Sequence, residues 1–240
     1  MRRLTASALA LALAGCSAPG GDVPTRPRGT LTAPSARPSP TAAEGPTGRI
    51  DRLLRDLEVV PGEPYHPGYD RSCGPGHACV FGPLWSDAHP GPAGHNGCDT
   101  RQDALLAQLR QVQLRWGSSC RVYDGVLVDP YSGARLTWRR DGYWIQIDHV
   151  FPLARAWHAG AWAWSRRRRL RFANDVDREL LAVSARANQE KGAGGLAEWL
   201  PPVGALRCRY VAKYLTVAAA YGLPVTEADA AAARRVAAHC

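Results

Sequence analysis

Residues 144–152, Trp-Ile-Gln-Ile-Asp-His-Val-Phe-Pro, constrain the fold more than any other stretch of this 240-residue chain. Ile145 and Ile147 alternate with other residues at the period of a half-buried strand. The strand ends abruptly at Asp148-His149, and Pro152 with the run after it starts a helix. A carboxylate and an imidazole therefore stand side by side where a strand opens into a loop. Two later asparagines, Asn174 in Phe-Ala-Asn-Asp and Asn188 in Ala-Asn-Gln-Glu-Lys-Gly, belong with this pair.

The N-terminus has the order of an export signal. Arg2-Arg3 precede a short apolar run that is too short to anchor in a bilayer, and Leu13-Ala14-Gly15-Cys16 follows. The expected organisation is a signal peptide over residues 1–15, with lipid on Cys16 as in a bacterial lipoprotein. A Pro/Ser/Thr-rich tether over residues 16–45 carries too little apolar surface to fold, and one domain spans 46–240. An ordinary secretory signal is the alternative, and either places the protein outside the cytoplasm. Six further cysteines, Cys73, Cys79, Cys98, Cys120, Cys208 and Cys240, fit disulfides in an exported chain. The sequence does not choose among the many possible pairings. Cys73–Cys79, Cys98–Cys120 and Cys208–Cys240 are the expected ones. Zinc on Cys73, His77 and Cys79 would lack a tight second ligand pair. The formal charge is +9, carried almost wholly by arginine. Such a chain attracts polyanions, whether nucleic acid, wall polymer or lipid headgroups.

Apolar periodicity predicts a helix over residues 49–57, then a long irregular loop over 62–95 anchored by Phe81 and Trp85. A helix capped by Asp99 follows, with Ala104, Leu105, Leu109 and Val112 as its stripe. Arg101 sits in its first turn, where the helix dipole does not favour a cation. It is a candidate for an ion pair or a phosphate contact. Strands are expected over 121–129, 135–138 and 143–148, forming one small antiparallel sheet with a turn at Asp141-Gly142. Helix 152–161, a basic run over 166–171, strand 180–184 and a helix over 185–190 carrying Asn188 come next. Two closing helices are expected at 206–221 and 227–238. The class is α+β, flanked by helices and stapled by disulfides.

The order strand, Asp-His, loop with Asn, strand, helix with Asn can gather Asp148, His149 and Asn188 around one point. A hard divalent cation such as magnesium takes carboxylate and amide oxygens and keeps several waters. Neutral His149 can accept a proton from an attacking water. Lys191 or an arginine can neutralise phosphate charge.

The chain resembles the HNH endonuclease superfamily, and in particular the domain at the C-terminus of GmrSD-type restriction enzymes. The matching stretches are Asn96-Gly-Cys98-Asp-Thr-Arg101, Asp129-Pro-Tyr-Ser-Gly133, Ile147-Asp-His-Val-Phe-Pro-Leu-Ala154, Ala156-Trp157, Phe172-Ala-Asn-Asp175, Asn188-Gln-Glu-Lys-Gly192 and Trp199-Leu-Pro-Pro202. The resemblance implies a ββα-metal core with His149 as general base and Asp148 and Asn188 as ligands of a divalent ion, magnesium or manganese. Asn174 would orient the base, and Lys191 and Arg101 would meet substrate. Gln102 stands where similar sequences often have Asn, and Glu179 where an amide is more usual. The implied activity is low-specificity hydrolysis of DNA, with RNA as the alternative substrate, by a monomer that touches membrane only through Cys16. A competing reading is a non-catalytic module that binds DNA or another anionic polymer. A zinc peptidase would need a His-Glu-x-x-His motif, which the chain lacks.

Overall fold

The computed structural model describes residues 45–139 and 144–240. The signal segment, Cys16, nearly all of the tether and the Asp141-Gly142 turn lie outside the described residues. In chain order the elements are α1 (Pro46–Asp56), β1 (Val59–Val60), α2 (Thr100–Gln108), β2 (Arg110–Leu114), β3 (Val122–Val128), β4 (Arg135–Arg139) and β5 (Ile145–His149). After them come α3 (Leu153–His158), a single 3₁₀ turn (Ala161–Ala163), α4 (Arg166–Ala173), β6 (Leu180–Ser184) and α5 (Ala185–Lys191). The chain closes with α6 (Gly204–Tyr221), β7 (Val225–Thr226) and α7 (Glu227–Ala237). The class is α+β, as expected. None of these helices is long and apolar enough to cross a membrane.

The strands form three sheets rather than the one expected. β2, β3 and β4 make an antiparallel sheet, β5 pairs antiparallel with β6, and β1 pairs in parallel with β7. β5 takes a distant partner because both strands bury the same alternate positions. Ile147 lies opposite Ala182, and these two share an apolar core with Ile145, Leu180, Leu105, Leu127 and Trp138. Val183 belongs to the other, larger core, built from α1, α3, α6 and α7 around Phe151, Phe172 and Tyr214. The β5–β6 ribbon is therefore clamped between two cores, and His149 lies at its end.

Asp99 caps α2 through the backbone N–H of Gln102 at 2.9 Å. The helix stops at Gln108, so Val112 lies on β2 and not on a helical stripe. Leu109 turns extended there and packs onto Gly125 of β3, where a Cβ would meet its side chain at 3.1 Å. All three expected disulfides are present, Cys73–Cys79, Cys98–Cys120 and Cys208–Cys240. The last fastens α6 to the chain end beyond α7.

Candidate active site

The end of β5 is fixed by the residue that precedes β6. The Val150 N–H donates to the Glu179 carbonyl at 2.9 Å, and the Phe151 N–H donates to Glu179 Oε2 at 3.2 Å. Glu179 is fully buried with Oε1 unpartnered, and burial pushes its carboxyl well above the usual carboxylate range. It acts as a buried acid that holds the turn after His149.

Asp148 is also buried. Its Oδ2 accepts from the Tyr131 hydroxyl at 2.5 Å, and its Oδ1 accepts from Lys191 Nζ at 2.9 Å. Burial raises the carboxyl, while Lys191 and Tyr131 pull it back down. Lys191 Nζ also donates to the His149 carbonyl at 2.8 Å. Lys191 therefore joins α5 to β5 from inside the protein and does not face solvent, so the expected phosphate contact is not where its ammonium sits.

His149 Nε2 donates to the Ala173 carbonyl at 3.0 Å. A carbonyl only accepts, so the proton is on Nε2 and Nδ1 keeps its lone pair. Among the described residues Nδ1 has no partner. The ring stacks on Trp85 at 5.7 Å between centroids. Burial, then the Arg71 cation and more weakly Lys191, lower the imidazole to about 3 against the opposing pull of the Ala173 carbonyl. His149 is thus held neutral, in the form that can take a proton.

Asn188, on α5, donates from Nδ2 to Gln146 Oε1 at 2.8 Å, which leaves its Oδ1 free. Asp148, His149 and Asn188 all line one open cleft of about 290 Å³, together with Tyr69, Arg71, Leu153 and Gly192. Asn174 does not reach this cleft. It caps α4, donates from Nδ2 to the Leu170 carbonyl at 2.9 Å, and keeps a buried, unpartnered Oδ1. It lies behind His149, in a smaller cavity shared with Trp85 and Arg71, next to the Ala173 carbonyl that fixes the ring. Arg101 lies away from the cleft, with its guanidinium 5.4 Å from the Trp138 ring centroid.

Four residues of this neighbourhood were not singled out for it from sequence. Tyr131 lies inside a quoted turn, but only the fold shows its hydroxyl on Asp148. Glu179 carried a visible signal, as a departure one residue before a strand. Arg71 and Trp85 come from the long irregular loop, where no periodicity marks them.

The sequence profile described as GmrSD restriction endonucleases, C-terminal domain, matches residues 99–236. The chain belongs to this family. An "Uncharacterized secreted protein" of Arthroderma benhamiae is 34% identical over 197 residues, covering 81% of this chain and 87% of that one. No solved structure matches. The family-matched region contains Tyr131, Asp148, His149, Asn174, Glu179, Asn188 and Lys191, whereas Arg71 and Trp85 precede it.

Proposed function

We propose that this chain is an exported, metal-dependent endonuclease of HNH type that hydrolyses phosphodiester bonds in DNA, with RNA as a second substrate to test. One observation carries the reading. A histidine fixed in its Nε2–H tautomer shares an open cleft with the carboxylate before it on β5 and with a free amide oxygen on α5. The family bears on it in the same direction.

Among the described residues no three His, Cys, Asp or Glu side chains gather to hold an ion. The donor set here is one carboxylate and one amide oxygen, both hard, on residues that line a cleft with room for water. That fits magnesium or manganese, which bind through one or two protein groups and keep much of their hydration. Asp148 and Asn188 would hold the ion, with Lys191 and Tyr131 fixing the carboxylate. Such an ion, when bound, polarises the phosphate and stabilises the departing oxygen.

The remaining chemistry belongs to the chain. His149 Nδ1 accepts a proton from water as the water oxygen bonds to phosphorus. The bond from phosphorus to the leaving oxygen breaks, and that oxygen takes a proton from solvent. The Ala173 carbonyl stabilises the imidazolium that forms on His149, and the Trp85 face limits ring rotation. Asn174 acts indirectly, at the end of the helix that supplies Ala173. Arg101, beside Trp138, lies away from the reacting phosphate and takes no part in the step.

Export rests on the signal-like N-terminus, the three disulfides and a relative whose name describes it as secreted. A lipid on Cys16 would hold the domain at the outer face of the membrane on the 16–45 tether, with the protein acting as a monomer. The second reading, a binding module without catalysis, draws support from one observation: both Asp148 oxygens already have donors. Incubating the oxidised chain with plasmid and magnesium separates the two. A nuclease nicks the plasmid and stops when chelator is added. A binding module retards DNA under every divalent metal without breaking it.

A further inference from the structure

Residues 63–71 precede the family-matched region, yet two of them line the cleft. Tyr69 and Arg71 lie in its wall beside Asp148, His149 and Asn188. Ala154 and Ala193 belong both to this cleft and to a second hollow of about 380 Å³, which also holds Tyr65, Arg155 and His158. The two hollows thus adjoin along a shared wall.

Arg71 is exposed, and among the described residues its guanidinium makes no hydrogen bond or ion pair. Its base is nonetheless stiff. The Asp70 carboxylate accepts from the backbone N–H groups of Ser72 and Ala78 and contacts the His77 ring. Val80 N–H donates to the Asp70 carbonyl, Cys79 N–H donates to the Ser72 carbonyl, and the Cys73–Cys79 disulfide closes the loop. A free fork of donors on a fixed loop, next to the proposed base, suits a phosphate.

Tyr65 is 80% exposed. It stacks on His158 at 5.0 Å and 24°. His158 is itself held, with Nδ1 accepting from the His66 N–H at 3.1 Å. One face of the Tyr65 ring is backed by a fixed imidazole, and the exposure leaves the other face to solvent. Arg155 in this hollow is paired with Glu63, Glu198 and Asp229, so the free cation of the adjoining wall is Arg71, and an aromatic face near such a cation receives an unpaired base. A base inside a duplex is already stacked on both sides and cannot use it.

We propose that residues 63–71 form a strand-binding wall, in which Arg71 holds the reacting phosphate and Tyr65 stacks an unpaired neighbouring base, so that the cleft holds unpaired strands more tightly than duplex while still admitting duplex. This rests on the nuclease reading above for the identity of the reacting phosphate. The segment lies outside the matched family region, so this strand selectivity is a property of the longer chain.

The test is fluorescence anisotropy of a short single-stranded oligodeoxynucleotide and its duplex, with the oxidised full chain in chelator over a salt series. The wild type binds the single strand more tightly. Tyr65→Ala weakens single-strand binding on the order of 5- to 150-fold, the range for one stacking position. It leaves duplex binding within about twofold, and Tyr65→Phe restores single-strand binding. Arg71→Ala weakens both and lowers the salt slope for the single strand by about 0.7, the value of one phosphate contact. Unchanged single-strand affinity in Tyr65→Ala, or an unchanged salt slope in Arg71→Ala, overturns the proposal. Adding magnesium to the same oligonucleotide separates the two claims. If the wild type cleaves and both variants bind as it does, the wall is refuted and the nuclease stands. If nothing cleaves yet the variants lose binding as described, the wall stands and the nuclease reading fails.

Discussion

Replacing Lys191 by methionine keeps much of its length and apolar stem and removes only the ammonium. That ammonium makes two contacts, 2.9 Å to Asp148 Oδ1 and 2.8 Å to the His149 carbonyl. Lys191 and Asp148 are 3% and 4% exposed, so water does not replace it readily. The variant would leave a buried carboxylate with one neutral donor, Tyr131, and a backbone carbonyl with one fewer. Losing one neutral hydrogen bond costs about 1 kcal/mol. Stranding a buried charge costs about 3–5 kcal/mol, and the charge dominates here. For a domain of this size each kcal/mol lowers Tm by about 2–4 °C, so a drop of roughly 6–20 °C is expected in calorimetry of the oxidised domain near neutral pH. Adding Asp148→Asn to Lys191→Met removes the stranded charge and recovers more than half of the loss. The reasoning fails if Lys191→Met costs under about 1 kcal/mol while weakening nucleic-acid binding, because the ammonium would then face substrate.

Three further outcomes follow from the site. Glu179→Gln keeps the acceptor for the Phe151 N–H and costs under about 1 kcal/mol, whereas Glu179→Ala leaves that buried donor unpaired at about 1–3 kcal/mol, readable by urea unfolding. His149 is depressed from 6.5 to about 3. Above pH 6.5 it is neutral folded and unfolded; between these values only the unfolded chain binds the proton, so stability falls as the pH falls. From pH 7 to pH 4 the wild type should lose about 3 kcal/mol more than His149→Gln, and equal losses in the two proteins would contradict the assigned burial. Asn188→Ala should raise the magnesium needed for half-maximal cleavage about tenfold or more, with little change in Tm.

Much of this arrangement was legible in the chain, and the rest failed for physical reasons. Strand 180–184 matches β6 at both ends, because Leu180, Ala182 and Val183 give a local apolar signal and Ala185 begins a helix. Asp99 announced its helix because a cap acts within three residues. The pairing of β5 was not legible, since nothing near Ile147 encodes that Ala182 lies opposite. Val112 misled because Leu109 and Val112 keep helical spacing while Leu109 turns into the core beside Gly125. In the site, Asp148, His149 and Asn188 were legible as an ordered set. The burial of Lys191 was not, because a lysine near a helix end reads as solvated until Asp148 is brought to it. Arg71 and Trp85 sit in irregular chain, where position depends on a disulfide and on contacts over long sequence separations.

In the proposed mechanism His149 takes the proton from the attacking water, and Asp148 and Asn188 would hold the divalent ion that acts on the phosphate. Plasmid nicking by the oxidised domain in magnesium tests it most directly, comparing wild type with His149→Ala and each with chelator. Nicking is expected of the wild type alone, abolished by chelator, with His149→Ala still binding DNA. Nicking that survives His149→Ala, or that proceeds in chelator, would contradict it.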